Sequence, residues 1–325
     1  MTEEKETKEK KKGAIPVANT PHDAFFHAAM TMRKVHEQFF EAFLDKESLA
    51  ALDMASIRPA EGHYVDRRLR HLYSDSLFDV TWGETKGYVY LLIEHASSMR
   101  RLLPLQVFRY KGEIWADHAK LFPDEKDLPY ILPIVFHTGE GTCPGTVDIK
   151  NLVKGPRVMM AKMPADPVKV ISIADISGED AKKRIHLGVM LLTFQFVLDK
   201  RLPLRELIQH LARVKNEEEI LLFHETLITY IFKARDDVKV STIKEVTEEI
   251  LGKERGVWVM TVADRLRAEG EIKGEIKGEI KGEIKGIEGE RRTLNTLFKQ
   301  GLLTEQKFHE FVDPLEVQLK NLQSS

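Results

Sequence analysis

The feature that most constrains the fold of this chain is a pair of short apolar segments joined by a glycine-containing turn, within residues 73–96. The apolar runs predict two β-strands, and the segment Gly83-Glu-Thr-Lys-Gly87 predicts a hairpin turn between them. Asp75 stands at the start of the first strand, and Glu94 ends the second. A carboxylate at the end of a buried apolar strand is costly unless it is paired, exposed or bound to a cation. The hairpin therefore predicts that two carboxylates meet at one edge of a sheet.

Two carboxylates at one point can hold a divalent cation such as Mg²⁺. Such an ion polarises a phosphodiester oxygen and lowers the pKa of a bound water. Basic residues flank the two acids in sequence and can bind flanking phosphates; they are Arg67, Arg68, Arg70, Arg100 and Arg101. The alternative is that Asp75 caps a turn and that Glu94 forms an ion pair with one of these arginines. The residues alone leave both interpretations open.

The segments around the hairpin predict an α/β core. Thr20 and Asp23 match a helix capping box, with proline at the first helical position between them. This capping accounts for Asp23, although a functional role for Asp23 and its neighbour His22 is the alternative. After the hairpin we expect a helix over 102–121, with Leu105, Phe108, Ile114 and Trp115 facing inward. Strands at 130–136 and 168–174 follow, and Asp175 ends the second.

The second half of the chain is predicted to be helical as far as about residue 267. Four tandem copies of Gly-Glu-Ile-Lys follow at 270–285. As a helix this repeat is weak, because each glycine costs roughly 1 kcal/mol relative to alanine and like charges recur every four residues. It can persist as the continuation of the preceding helix. We interpret it as a tether or as a self-association element that permits a homo-oligomer, and we expect two short helices after it.

Composition excludes several classes of protein. A formal net charge of −2 over 325 residues argues against a generally basic nucleic-acid binder, so any DNA-binding surface must be local. The single cysteine, Cys143, excludes an internal disulfide framework and predicts a reducing compartment. No apolar run has the roughly 18 residues of a membrane span, and the N-terminus lacks a signal-type apolar core. We therefore expect a cytoplasmic protein without a membrane partner.

Five short segments occur in a fixed order: residues 21–26, 73–75, 90–95, 132–140 and 260–270. Together they resemble the Rpn family of recombination-promoting nucleases, also called YhgA-like putative transposases, of the PD-(D/E)XK nuclease superfamily. The resemblance implies a restriction-endonuclease-like mixed sheet flanked by helices, and metal-dependent cleavage of DNA. It implies that Asp75 and Glu94 are metal ligands for Mg²⁺, or for Mn²⁺ or Ca²⁺. It also marks Asp175 as an acid of the family pattern, without a clear role.

The chain departs from the family pattern directly after Glu94. Where the family usually has Glu-His-Gln, this chain has Glu94-His95-Ala96. The third position normally helps to orient or activate the attacking water, and alanine has no polar group for that task. The candidate substitutes are Gln106, Ser97 and Lys86.

Two functions from different classes therefore remain open. One is an active metal-dependent DNA endonuclease; the other is a catalytically weakened homologue that binds DNA or a partner protein. For either function we predict the same organisation: a disordered tail at 1–19, a nuclease-like domain at 20–177, a helical region at 178–269, the repeat at 270–289 and short C-terminal helices at 290–325.

Overall fold

A computed structural model describes residues 20–60, 76–96, 99–139, 141 and 143–322, with the backbone alone for 272–280. The predicted tail at 1–19 lies outside these described residues. The described chain groups into two compact units, one reaching to Met260 and one beginning at Thr261. The predicted domain boundaries stay predictions.

In the described part of the chain, six strands form one mixed sheet in the order β1-β2-β3-β4-β6-β5. Strands β1, β2 and β3 pair antiparallel, β3, β4 and β6 pair parallel, and β5 is antiparallel to β6. The predicted mixed α/β class is thus confirmed. The strands are β1 (Arg58–Pro59), β2 (Ser76–Trp82), β3 (Thr85–Glu94), β4 (Tyr130–His137), β5 (Thr146–Asp148) and β6 (Pro167–Ser172).

Helices cover the sheet and continue to the end of the described chain. Those of the first half are α1 (Pro21–Thr31), α2 (Arg33–Phe43), α3 (Lys46–Ala51), α4 (Leu103–Leu121) and α5 (Arg157–Met160). Those of the second half are α6 (Gly178–Lys182), α7 (Ile185–Leu198), α8 (Leu204–Leu211), α9 (Glu217–Ala234), α10 (Val240–Leu251), α11 (Lys253–Lys299) and α12 (Glu305–Leu322). The predicted helix start at Thr20 is confirmed, with both hydrogen bonds of the capping box present.

The central hairpin forms as predicted, but its turn is shorter than the predicted five residues. Trp82 pairs with Thr85, so only Gly83 and Glu84 connect the strands. Gly83 has φ of 60°, a conformation that glycine adopts without steric cost at the first central position of a two-residue hairpin turn. Gly87 belongs to β3 rather than to the turn. The ladder is described as far as the Ser76–Leu91 pair, and Asp75 lies outside the described residues.

Helix α4 packs on one face of the sheet through only some of the predicted residues: Ile114 and Trp115 are partly buried against the core, as predicted. Leu103, Val107 and Tyr110 are buried against it, whereas Leu105 and Phe108 are 48% and 50% exposed. The prediction that Leu105 and Phe108 face inward is therefore wrong. Both sets have helical spacing, so the periodicity alone did not define which side of the helix meets the sheet.

The opposite face of the sheet is covered by an aromatic cluster that unites helices from both halves of the chain. Phe136 of β4 stacks on Phe26 of α1, with ring centroids 5.2 Å apart, and contacts Phe39 of α2 and Phe194 of α7 edge to face. All four side chains are fully buried. Helix α7 is buried on nearly all sides, which is typical of a helix in the centre of a core.

The glycine-rich repeat is helical. Helix α11 runs without interruption from Lys253 to Lys299 and contains all four copies, so the repeat continues the preceding helix. The expected short helices after it are merged or extended: residues 294–299 belong to α11, and α12 is 18 residues long. Across the residues described, no helix combines the length and apolar character needed to cross a lipid bilayer.

The aromatic cluster provides a test of the fold. Phe136→Ala removes a fully buried ring, and we expect it to lower the free energy of unfolding by roughly 3–5 kcal/mol. Phe108→Ala, on the exposed side of α4, is the matched control and should change it by less than about 0.5 kcal/mol. Urea denaturation of the three proteins measures both changes. Equal destabilisation by the two substitutions would contradict the assignment of the core.

Candidate functional site

Glu94 is the last residue of β3 and lies where parallel strands end side by side. Its backbone pairs with that of His137, the last residue of β4. Because side chains alternate along a strand, Glu94 lies on the same face as Tyr90 and Leu92, the face that α4 covers. The Glu94 side chain is only 3% exposed. The apolar strand therefore carries a buried carboxylate to the edge of the sheet, as predicted.

The carboxylate of Glu94 is held by two donors. Arg100 donates to Oε2 through Nε at 2.9 Å and through Nη2 at 2.5 Å. The backbone N–H of Ala96 donates to Oε1 at 3.2 Å. The Arg100 side chain is 46% exposed, so one end of this ion pair faces solvent. The predicted alternative, an ion pair between Glu94 and a flanking arginine, is present.

Five of the other predicted site residues lie outside the described residues: Asp75, Arg67, Arg68, Arg70 and Ser97. The proximity of Asp75 to Glu94 therefore stays a prediction. Arg101 is exposed in the turn before α4. Gln106 is half-buried in α4, and its amide donates to the Tyr110 hydroxyl at 3.3 Å.

Lys86 does not replace the missing polar group at position 96. It lies beside the hairpin turn, opposite Thr81. It lies eight positions before Glu94 along the same strand, which corresponds to about 26 Å. That separation exceeds the reach of a lysine side chain, so this candidate is wrong.

Asp175 lies at the same end of the sheet as Glu94. It is exposed in a short 3₁₀ turn, Ile173–Asp175, directly after β6. Burial raises the pKa of the Cys143 thiol, and the negative charges of Asp175 and Glu94 raise it further. Cys143 therefore lies within electrostatic range of both acids. Parallel pairing of β3, β4 and β6 is what collects these groups at one edge.

The opposite face of the same sheet edge carries a polar cluster that the sequence did not predict. His95 lies 22% exposed beside the buried Asp23, and its Nε2 is 2.5 Å from Asp23 Oδ1. Its Nδ1 is 2.6 Å from Oγ1 of Thr138, a residue that is 1% exposed. The backbone N–H of Thr138 donates to the Glu94 carbonyl at 2.9 Å. Asp23 thus has a role beyond the capping that accounted for it in the sequence.

His22 extends this cluster to the helical half of the chain. Its Nδ1 lies 2.6 Å from the hydroxyl of Tyr230 in α9, and its ring lies 4.8 Å from that of His95. Burial and the nearby His95 lower the pKa of His22 to about 4, although the charge of Asp23 opposes them. Burial alone would raise the pKa of Asp23, but His95 and the hydrogen bonds from Thr20 hold it below its ordinary value.

The sequence contains a signal that points to this cluster. Two polar residues, His95 and Thr138, follow directly after the buried ends of neighbouring parallel strands. Residues at such strand ends meet at one edge of a sheet, so their proximity can be inferred once the strands are known to be parallel. The contact between His95 and Asp23 has no counterpart in local sequence, because the two residues are 72 positions apart.

A comparison with protein families identifies the chain. The family described as "Putative transposase, YhgA-like" matches residues 20–221, more than half of the molecule. The chain belongs to this family. The match includes the whole sheet, Glu94 and the Asp23–His95–Thr138 cluster.

Relatives of the chain carry nuclease names. The chain is 25% identical over 260 residues to "Recombination-promoting nuclease RpnA" of Escherichia coli (strain K12), covering 78% of this chain and 86% of the relative. It is 25% identical over 263 residues to "Inactive recombination-promoting nuclease-like protein RpnE" of the same organism, covering 78% and 83%. Over 121 residues it is 31% identical to "Recombination-promoting nuclease RpnD" of Escherichia coli O157:H7, covering 37% and 46%. No solved structure matches the chain.

The tight approach between the ends of β3 and β4 provides one test. A β-carbon at Gly139 would overlap the Ala96 carbonyl and lie 2.8 Å from the His137 ring. Gly139→Ala should therefore displace the backbone beside the site and lower the free energy of unfolding by about 1–3 kcal/mol. Gly145→Ala, where a β-carbon meets nothing within 4 Å, is the control and should change it by less than about 0.5 kcal/mol. Thermal and urea denaturation distinguish the two.

The low pKa of His22 predicts a pH dependence of stability. Between about pH 6.5 and pH 4 the unfolded chain binds a proton at His22 that the folded chain does not, so stability falls as the pH falls through this window. His22→Gln removes this contribution, and its stability should decline less steeply over the same window. Urea denaturation at several pH values measures the two slopes. Identical slopes for both proteins would refute the prediction.

Proposed function

We propose that this chain is a divalent-metal-dependent DNA endonuclease of the PD-(D/E)XK type, which hydrolyses phosphodiester bonds in processes linked to recombination. The observation that carries the proposal is the buried carboxylate of Glu94, at the edge where parallel strands end, in a member of a family with relatives named as nucleases. A carboxylate so deeply buried needs a cationic partner. A catalytic metal is one such partner, and Arg100 is another.

The chemistry of Glu94 fits a divalent metal at this edge. Its carboxylate offers the oxygen ligands that Mg²⁺, Mn²⁺ and Ca²⁺ prefer. The neighbouring Arg100 cation is half-exposed, so it can leave Oε2 without crossing the core. Among the described residues, no group of three or more His, Cys, Asp or Glu side chains forms a complete metal site. Glu94 thus suits one ligand position, and we propose Asp75 for the second.

Each residue has a role in this proposal. Asp75 and Glu94 would hold the ion, which would supply Lewis acidity toward the phosphate and a more acidic bound water. Arg100, once released from Glu94, would bind a DNA phosphate. Arg101 and the predicted Arg67 and Arg68 bind phosphates further along the strand, where each contact adds salt-dependent affinity.

A second function, a catalytically weakened homologue that binds DNA or a partner, is favoured by a specific observation. Ala96 has no polar side chain, and Gln106, the substitute from α4, bonds to Tyr110. One relative of similar coverage is itself named as inactive. In this alternative the ion pair between Glu94 and Arg100 persists as a structural contact.

Plasmid cleavage in Mg²⁺ or Mn²⁺ tests the two functions. Under the endonuclease proposal, wild type cuts, and Glu94→Gln and Asp75→Asn each lower the rate on the order of 10²-fold or more. Asp237→Asn is the matched control, because its carboxylate also binds an arginine, Arg235, through Nε and Nη2. It should leave cleavage unchanged.

The remaining outcomes separate the alternatives. An inactive wild type that gains activity as Ala96→Gln would support the weakened homologue. Cleavage that survives both acid substitutions would contradict the proposed site.

Arg100→Ala should weaken DNA binding while tightening Mn²⁺ binding, because the arginine competes with the cation for Glu94.

A further inference from the structure

A continuous line of hydrogen bonds runs behind Glu94, on the face of the sheet opposite its carboxylate. It leads from Asp23 Oδ1 to His95 Nε2 at 2.5 Å, and from His95 Nδ1 to Thr138 Oγ1 at 2.6 Å. From Thr138, the backbone N–H and the hydroxyl reach the Glu94 carbonyl at 2.9 Å and 3.4 Å. The line therefore ends on the peptide group that joins Glu94 to His95.

This peptide group lies directly after the last residue pair of the β3–β4 ladder. The β3–β4 ladder ends at the pair Glu94–His137, so residues 95 and 96 have no strand partner on β4. Beyond the ladder, the bonds from Thr138 and a bond between His137 Nε2 and the Ala96 carbonyl at 2.9 Å hold the backbone. The Ala96 N–H in turn donates to the Glu94 carboxylate. The orientation of that carboxylate therefore depends on the backbone just after the strand.

The far end of the line is anchored in a rigid element. Asp23 lies in the first turn of α1 and exchanges capping hydrogen bonds with Thr20. The same helix is fastened to the core by Phe26 in the aromatic cluster. His22, bonded to Tyr230, lies against the His95 ring. Side chains that are locked in this way hold their partners to a defined geometry.

Both ring nitrogens of His95 are occupied, which decides what the residue can do. A general base needs a nitrogen free to accept a proton from water, and here each nitrogen already bonds to a side chain. Thr138 is buried, so its hydroxyl is not a nucleophile that substrate could reach. The chemistry therefore favours support of a neighbouring group over direct participation.

We propose that Asp23, His95 and Thr138 are positioning residues, which hold the backbone after β3 so that the Glu94 carboxylate keeps its orientation for the reaction. This inference rests on the proposed function for its effect on catalysis. Residues behind a metal-binding group commonly change activity or metal affinity 10- to 100-fold when replaced. None of the three contacts substrate in this proposal.

Thr138 permits the sharpest test, because valine matches its shape without the hydroxyl and serine retains the hydroxyl. At saturating Mg²⁺, Thr138→Val should lower kcat for DNA cleavage about 10- to 100-fold, with KM for DNA changed by less than about twofold. Thr138→Ser should recover most of kcat. The matched control is Thr193→Val, which removes a buried hydroxyl that donates to the Val189 carbonyl within α7.

Amide hydrogen exchange gives a second readout that needs neither metal nor DNA. In Thr138→Val and His95→Gln, the Ala96 amide should exchange faster, because its bond to the Glu94 carboxylate is no longer held in place. In Thr193→Val its exchange should match wild type. NMR of the metal-free full chain measures this amide, and the Mn²⁺ affinity of each variant is measured separately.

The outcomes separate this inference from the proposed function. If wild type cuts no DNA and binds no Mn²⁺, the proposed function fails, and faster Ala96 exchange in both variants still establishes the positioning. Unchanged exchange with unchanged kcat would overturn the inference. It is also overturned if Thr193→Val lowers kcat as much as Thr138→Val, or if Thr138→Ser fails to recover activity, because either result indicates general destabilisation.

Discussion

Parallel pairing of β3, β4 and β6 is the constraint on which the rest of this structure depends. Parallel neighbours require a crossover, and α4 provides it between β3 and β4. Because parallel strands end at the same edge, the pairing places Glu94, Thr138 and Asp175 near one another, although they are distant in sequence. The apolar strands also deliver Glu94 and Thr138 into buried positions, whereas Asp175 stays exposed. Each buried group then needs a specific partner, and the partners define the site.

The two faces of this edge are specialised differently. On the α4 face, the Glu94 carboxylate is paired with a half-exposed arginine, which we propose gives way to a metal ion. On the opposite face, Asp23, His95 and Thr138 form a line in which each polar atom is engaged. One face thus has a replaceable partner and the other a fixed support. The substitution at Ala96 affects the first face and leaves the second intact.

Local sequence patterns predicted much of the fold. The capping residues at Thr20 and Asp23, the hairpin and the strands β4 and β6 all follow from periodicity and turn chemistry, which act over a few residues. The inward residues of α4 were predicted correctly for Ile114 and Trp115 and wrongly for Leu105 and Phe108, because apolar residues with helical spacing occur on both sides of the helix and only the sheet selects between them. The hairpin turn is shorter than predicted for a similar reason. Its length is fixed by the pairing of β2 with β3, which the positions of Gly83 and Gly87 in the sequence do not define.

Three properties can be inferred from the amino-acid sequence alone: an acid ends an apolar strand, the residue two positions after it is alanine, and the chain resembles the Rpn family. Tertiary structure decided which arginine meets Glu94 and that His95 bonds to Asp23 and Thr138. The physical reason is the range of the interactions. Periodicity and capping act between residues close in the chain, whereas ion pairs and hydrogen bonds between distant residues exist only after the strands and helices have packed.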